Sequence, residues 1–118
     1  MFSILMTREL TELPEIETRP GVYFSQDAKG HTITVGVYKE GHPYSLTGKI
    51  RGYIVRSNRS TVTINGSLQG NTATVTLPDS AYAVPGPIVV VIKVMNNDET
   101  EKTTLAALRC TVERSRFS

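Results

Sequence analysis

At 118 residues the chain has room for one hydrophobic core, and its single cysteine, Cys110, excludes a disulfide framework and any zinc site built on two thiolates. Lys and Arg number 13 against 11 Asp and Glu, a formal net charge of +2, too little for counterion-driven binding to nucleic acid or to a membrane surface. Met1 to Met6 lacks a basic leader and the longest apolar run, Ile88 to Ile92, is far short of a transmembrane helix, so a soluble protein retained in the cell that makes it is expected.

Residues 1–20 read as an N-terminal arm. An apolar tip of Phe2, Ile4, Leu5 and Met6 precedes a glutamate-rich stretch broken by Pro14 and Pro20. A helical turn over Arg8 to Leu13 would end at Pro14. Two readings stand side by side: a frayed terminus, or a tip whose Phe2, Ile4 and Leu5 dock onto a neighbouring subunit.

From Gly21 the period is two. His31 to Lys39 places Ile33, Val35 and Val37 on one face and Thr32, Thr34 and Tyr38 on the other. Gly41 and Pro43 punctuate a tight connection, after which Ile50 to Arg56 turns Ile50 and Ile54 inward and Arg51, Tyr53 and Val55 outward. Val62 and Ile64 continue the inner face, and Asn65-Gly66 reads as a type I′ hairpin turn. Ala73, Val75 and Leu77 line a further strand, and Pro78 to Ala83 predicts a helical or irregular turn crossing between sheets. Ile88 to Met95 is returned by Asn96-Asn97-Asp98 into Thr103 to Val112, where Leu108, Cys110 and Val112 share a face. These seven or eight short strands predict an all-β, immunoglobulin-like antiparallel β-sandwich over residues 21–113, with an extended arm before it and a tail at 114–118. Arg114 and Arg116 make that tail basic, as a solvated terminus more than as a phosphate site.

Ile88-Val89-Val90-Val91-Ile92 is apolar on both faces, the pattern of a strand covered on both sides. Cover by the arm and cover by another subunit both satisfy it, and an oligomer contact through Val89 and Val91 is the favoured expectation.

Groups able to do chemistry are sparse. His31 and His42 stand at a strand start and in a turn, both expected to face solvent, and neither belongs to a ligand-spaced pair. Cys110, between Leu108 and Val112, predicts a buried and inert thiol. No glycine-rich phosphate cradle precedes a helix. No catalytic residue, cofactor or metal ligand is expected. The outward tyrosines Tyr38 and Tyr53 are the candidates for a weak carbohydrate contact, should their strands be neighbours.

The order of motifs adds a resemblance. Tyr23-Phe24-Ser25-Gln26-Asp27, Gly41-His42-Pro43-Tyr44-Ser45-Leu46-Thr47-Gly48, Leu77-Pro78-Asp79-Ser80-Ala81 and Val84-Pro85-Gly86-Pro87-Ile88 follow one another. This series resembles the N-terminal domain of the baseplate upper protein family of phages of Gram-positive bacteria, over about residues 21 to 113. The resemblance implies a β-sandwich anchoring a tail-tip or fibre component, usually in a trimer or higher symmetric assembly, with no catalytic residues. Family members continue into a shaft and a receptor-facing part, whereas this sequence stops at Ser118, which shifts the expectation toward capsid decoration or a baseplate or tail adaptor. The expected partners are other phage structural proteins and further copies of the chain, in a virion assembled in the bacterial cytoplasm. A host-glycan-binding module of a tail fibre is the alternative.

Overall fold

Alternation of apolar and polar residues produces strands with one dry face, and here two sets of them stack. The computed structural model describes residues 3–13, 16–25 and 30–113. Among these the strands are Ser3–Glu9 (β1), Ile16–Ser25 (β2), Thr32–Lys39 (β3), His42–Pro43 (β4), Lys49–Val55 (β5), Thr61–Asn65 (β6), Ser67–Gln69 (β7), Thr72–Thr76 (β8), Gly86–Met95 (β9) and Lys102–Glu113 (β10). A single 3-10 turn, Asp79–Tyr82, carries the chain from β8 to β9. The first sheet has the order β1-β3-β8-β7, with β4 hydrogen-bonded to β3, and the second the order β2-β10-β9-β5-β6. The result is the expected all-β sandwich.

Its core is the inward half of each alternation. Ile33, Val35 and Val37 of β3 and Ala73 and Val75 of β8 meet Ile50 and Ile54 of β5 and Ile88, Val90 and Ile92 of β9, all buried. Each large aliphatic side chain enclosed this way contributes about 1.5–3 kcal/mol. In β10 the register slips between Thr104 and Ala106. This bulge puts four buried residues in a row, Leu105 to Leu108, before Cys110 and Val112 resume the alternation.

Three features depart from the sequence reading. The predicted arm is largely sheet: β1 runs parallel to β3, pairing Ile4 with Ile33 and Met6 with Val35, and Ile4 and Met6 lie in the core. The glutamates and prolines that suggested an arm belong to a connection and to edge positions. Pro20 falls where β2 and β10 break register, between the Thr18–Arg109 and Tyr23–Thr111 pairs, on an edge strand where a missing N–H is tolerated. Second, the sandwich is not wholly antiparallel, because β1 on β3 and β2 on β10 are parallel pairs. Third, Asn65-Gly66 is no hairpin. The chain there leaves the second sheet at β6 and enters the first at β7. A Cβ on Gly66 would lie 2.6 Å from the Thr74 carbonyl oxygen and 2.7 Å from Ile50 Cγ2, so glycine serves the close crossing of two backbones.

Candidate contact surface on the second sheet

The central strand of the second sheet carries the feature that the sequence marked out. β9 is flanked by β10 and β5, so its backbone is hydrogen-bonded along both edges and only its two faces remain to be covered. Ile88, Val90 and Ile92 face the core at 0%, 0% and 1% exposure. Val89 and Val91 face the other way and are half-buried. Their cover is lateral: Val91 sits between Ala107 of β10 and Tyr53 of β5, and Val89 between Arg109 and Val55. Val55 is itself exposed.

Cations frame this strip. Arg51 and Lys93 are directly opposed, a like-charge pair that would destabilise the sheet if uncompensated. Arg51 is answered by Glu99 of the β9–β10 turn, Nη1 to Oε1 2.6 Å. Lys93 reaches over the ring of Tyr53, Nζ 5.6 Å from its centroid, a cation–π geometry. Arg109 stands exposed beside Val89. A flat apolar centre edged by Arg51, Lys93 and Arg109 can bury area against another protein; it holds no group poised for bond-making.

The residues singled out from the sequence fall in different places. Val89 and Val91 share this face with Tyr53. Ile4, expected at an interface, is 3% exposed and belongs to the core, because β1 pairs within the sheet and points it inward. Leu5, the next residue, is 69% exposed on the opposite side of β1. Phe2 lies outside the described residues, as do Asp27 and the tail at 114–118. Tyr38 is in the first sheet, its ring packed over Gly36, while Tyr53 is in the second. Their strands are not neighbours, and no two-tyrosine patch forms. Val55, Ala107 and Arg109 complete the strip without having been picked out; only cross-strand register assembles them, and a single strand's alternation does not carry register.

Groups with chemical potential are tied into the fold. Cys110 is buried, and burial pushes its thiol up to about 12, far from a reactive thiolate. His31, expected to face solvent, is 8% exposed. Its ring meets Tyr82 edge to face with centroids 5.9 Å apart, and its backbone N–H donates to Tyr82 Oη at 3.3 Å. Burial raises the Tyr82 phenol above its ordinary value. Among the described residues no three His, Cys, Asp or Glu side chains gather as metal ligands do, and no helix is long and apolar enough to cross a membrane.

Glu9 is the most perturbed carboxylate. It accepts from the backbone N–H groups of Gly41 at 2.7 Å and Glu40 at 3.0 Å, and from the N–H and hydroxyl of Thr11. Led by the Gly41 bond, these donors favour the charged form and hold its pKa at about 2. The arrangement fastens the end of β1 to the β3–β4 turn, where Glu40 and Gly41 both have positive φ.

The architecture has a solved counterpart. The N-terminal domain of phage TP901-1 ORF48 superposes with a TM-score of 0.63 over 96% of this chain and 99% of that one, at 13% identity. At that identity the likeness is one of fold. No protein-family model matches the chain, and no curated protein matches it in sequence. The motif residues that carried the sequence resemblance are corners of this fold. Gly48 has φ +121°, and a Cβ there would lie 2.1 Å from the Met95 carbonyl oxygen, so only glycine fits. Leu46 packs against the core and donates its N–H to the Gly70 carbonyl. Leu77 and Ala81 are fully buried on either side of the bond from Ala81 N–H to the Pro78 carbonyl.

Proposed function

We propose that this chain is a bacteriophage virion structural protein, a β-sandwich module that anchors or decorates by binding other virion proteins, and that it is not an enzyme. The observation that carries the reading is the half-exposed apolar strip of Val89, Val91, Val55 and Tyr53 at the middle of the second sheet, on a fold shared with a phage protein domain. The order of the Leu-Thr-Gly and Leu-Pro-x-x-Ala segments supports a baseplate or tail adaptor over capsid decoration. A homo-oligomer, with a trimer as one closed form, uses the same strip as its self-contact or stacks it on a larger partner. The glycan-binding alternative has no paired tyrosines to rest on.

The test is Val91→Asp. A partner-facing valine predicts a chain that keeps its circular dichroism spectrum and melting behaviour but loses its self-association, measured by light scattering, or its capture of the structural proteins encoded beside it. A wild-type chain that is strictly monomeric and captures none of those proteins would sink the proposal.

A further inference from the structure

The two edge strands β1 and β2 lie on the same side of the sandwich, one in each sheet, and leave an open groove of about 700 Å³ between them. Its walls gather the three most exposed large apolar side chains among the described residues: Leu13 at 88%, Leu5 at 69% and Ile16 at 53%. Leu105 and Ala106, at the β10 bulge, also line it. Three carboxylates, Glu9, Glu12 and Glu17, line it against one guanidinium, Arg8. Nη1 of Arg8 donates to the main-chain carbonyls of Glu9 and Glu12, and Glu9 is committed to the Gly41 and Glu40 amides. The groove is therefore greasy and net acidic. It suits an occupant with cations beside a large apolar side chain.

The chain contains such a segment. Arg114-Ser115-Arg116-Phe117 sets two guanidinium groups around a phenyl ring. A copy's own segment cannot enter its own groove. Ala106 stands beside the groove, whereas Glu113 pairs with Ser25 at the far end of β10, about 24 Å away at ~3.4 Å per residue. The four residues from Glu113 to Phe117 span at most about 14 Å even if fully extended. We infer that the acid-rimmed groove between β1 and β2 receives Arg114, Arg116 and Phe117 of a second copy of this chain. Phe117 packs against Leu5, Leu13 and Ile16, and the arginines face Glu12 and Glu17. The contact is head-to-tail, so repeated it closes a ring or extends a filament. It deepens the assembly reading and rests on it for its purpose, but it uses a surface separate from the Val91 face.

Charge reversal tests it on the full chain. One variant carries Glu12→Lys with Glu17→Lys, the other Arg114→Glu with Arg116→Glu. Each alone should weaken self-association at least about tenfold in Kd by opposing like charges, with melting behaviour kept, and added salt should weaken the wild-type contact as well. Mixed in equal amounts, the two variants should assemble again, because each groove then meets a tail of opposite sign. Phe117→Ala should weaken assembly without altering its salt dependence. Variants that associate as the wild type does, or a mixture that stays unassembled, would overturn the inference. Val91→Asp reads the other face independently: if it changes nothing while the reversed charges abolish assembly, the groove contact stands and the second-sheet reading falls.

Discussion

The outer faces of the two sheets are made from side chains of nearly the same shape and opposite chemistry. On the first sheet the outward rows are Ser3, Thr32 and Thr76, then Leu5, Thr34, Thr74 and Ser67, then Thr7, Gly36, Thr72 and Gln69. Hydroxyls there meet across strands, Ser3 with Thr32 at 2.7 Å and Thr34 with Thr74 at 3.4 Å. On the second sheet the corresponding positions are Val55, Val89, Val91, Tyr53 and Ala107. Threonine and valine are both β-branched and both favour strands. Backbone formation therefore does not explain the valines, since the first sheet forms with threonine in the equivalent role. What separates the faces is their attraction to water, and a face that could have been hydrated and is not is a face with something to meet.

The largest expected effect probes the two sides of one strand. Val90→Asp puts a carboxylate into a site with 0% exposure and should abolish folding, a loss above ~4 kcal/mol. Val91→Asp, one residue along, should cost only about 1–2 kcal/mol, because its carboxylate reaches water past Tyr53 and Ala107. Urea denaturation followed by circular dichroism separates the two. Equal losses would mean that the outer face is core and that the contrast between the sheets is false.

A change away from either face provides the next measure. Gly48→Ala should cost about 3 kcal/mol, from a φ that side chains avoid together with the overlap on the Met95 carbonyl. It should lower the melting temperature of the whole domain, leaving association per folded molecule intact.

This glycine also marks how far the sequence could be read. Alternation in β3, β5, β8 and β9 was plain, and with it the core, the inward Leu108, Cys110 and Val112, and the outward Val89 and Val91. Gly48 and Leu77-Pro78 stood out as motif residues, though the reason for them is geometric. Ile4 and Met6 also alternate, but Leu5 between them is apolar and faces out, which turned a strand into an apolar tip. Parallel pairing of β1 with β3 leaves no local signature, since its partners are 29 residues apart. His31 was misplaced for the same reason: its burial depends on Tyr82, brought to it by the 3-10 turn. The β1–β2 groove draws on residues near 5, 13, 16 and 105, a set that only the stacked sheets unite.

Acid should loosen the first sheet selectively. The Glu9 pKa is lowered from 4.5 to about 2 by the Gly41, Thr11 and Glu40 donors. A carboxylate with a depressed folded-state pKa stabilises the fold above its unfolded value and loses that contribution as pH falls toward the folded one. The urea midpoint should therefore decline between pH 4.5 and about 2. Glu9→Gln should lower the midpoint at neutral pH and flatten that part of the decline. Amide protection should fall first over Ser3–Glu9 and the Glu40–Gly41 turn, with β9 unaffected. Loss that begins in β9 would place the acid-sensitive contact elsewhere.

The smallest expected change in stability is the most direct examination of the two faces. Thr34→Val and Val91→Thr exchange the two chemistries at positions that both face outward from the middle of a sheet. Neither alters strand propensity much, and each should move stability by no more than about 0.5 kcal/mol. Thr34→Val gives up one long hydroxyl contact to Thr74 and gains a methyl beside Leu5, its partner in register. Val91→Thr puts a hydroxyl between Tyr53 and Ala107 where a partner's apolar side chain would rest, and that hydroxyl must be desolvated for the contact to form. Light scattering should therefore show weaker association for Val91→Thr and none gained for Thr34→Val. If both variants associate as the wild type does, apolar character at residue 91 has no part in assembly, and the valines of β9 need another explanation.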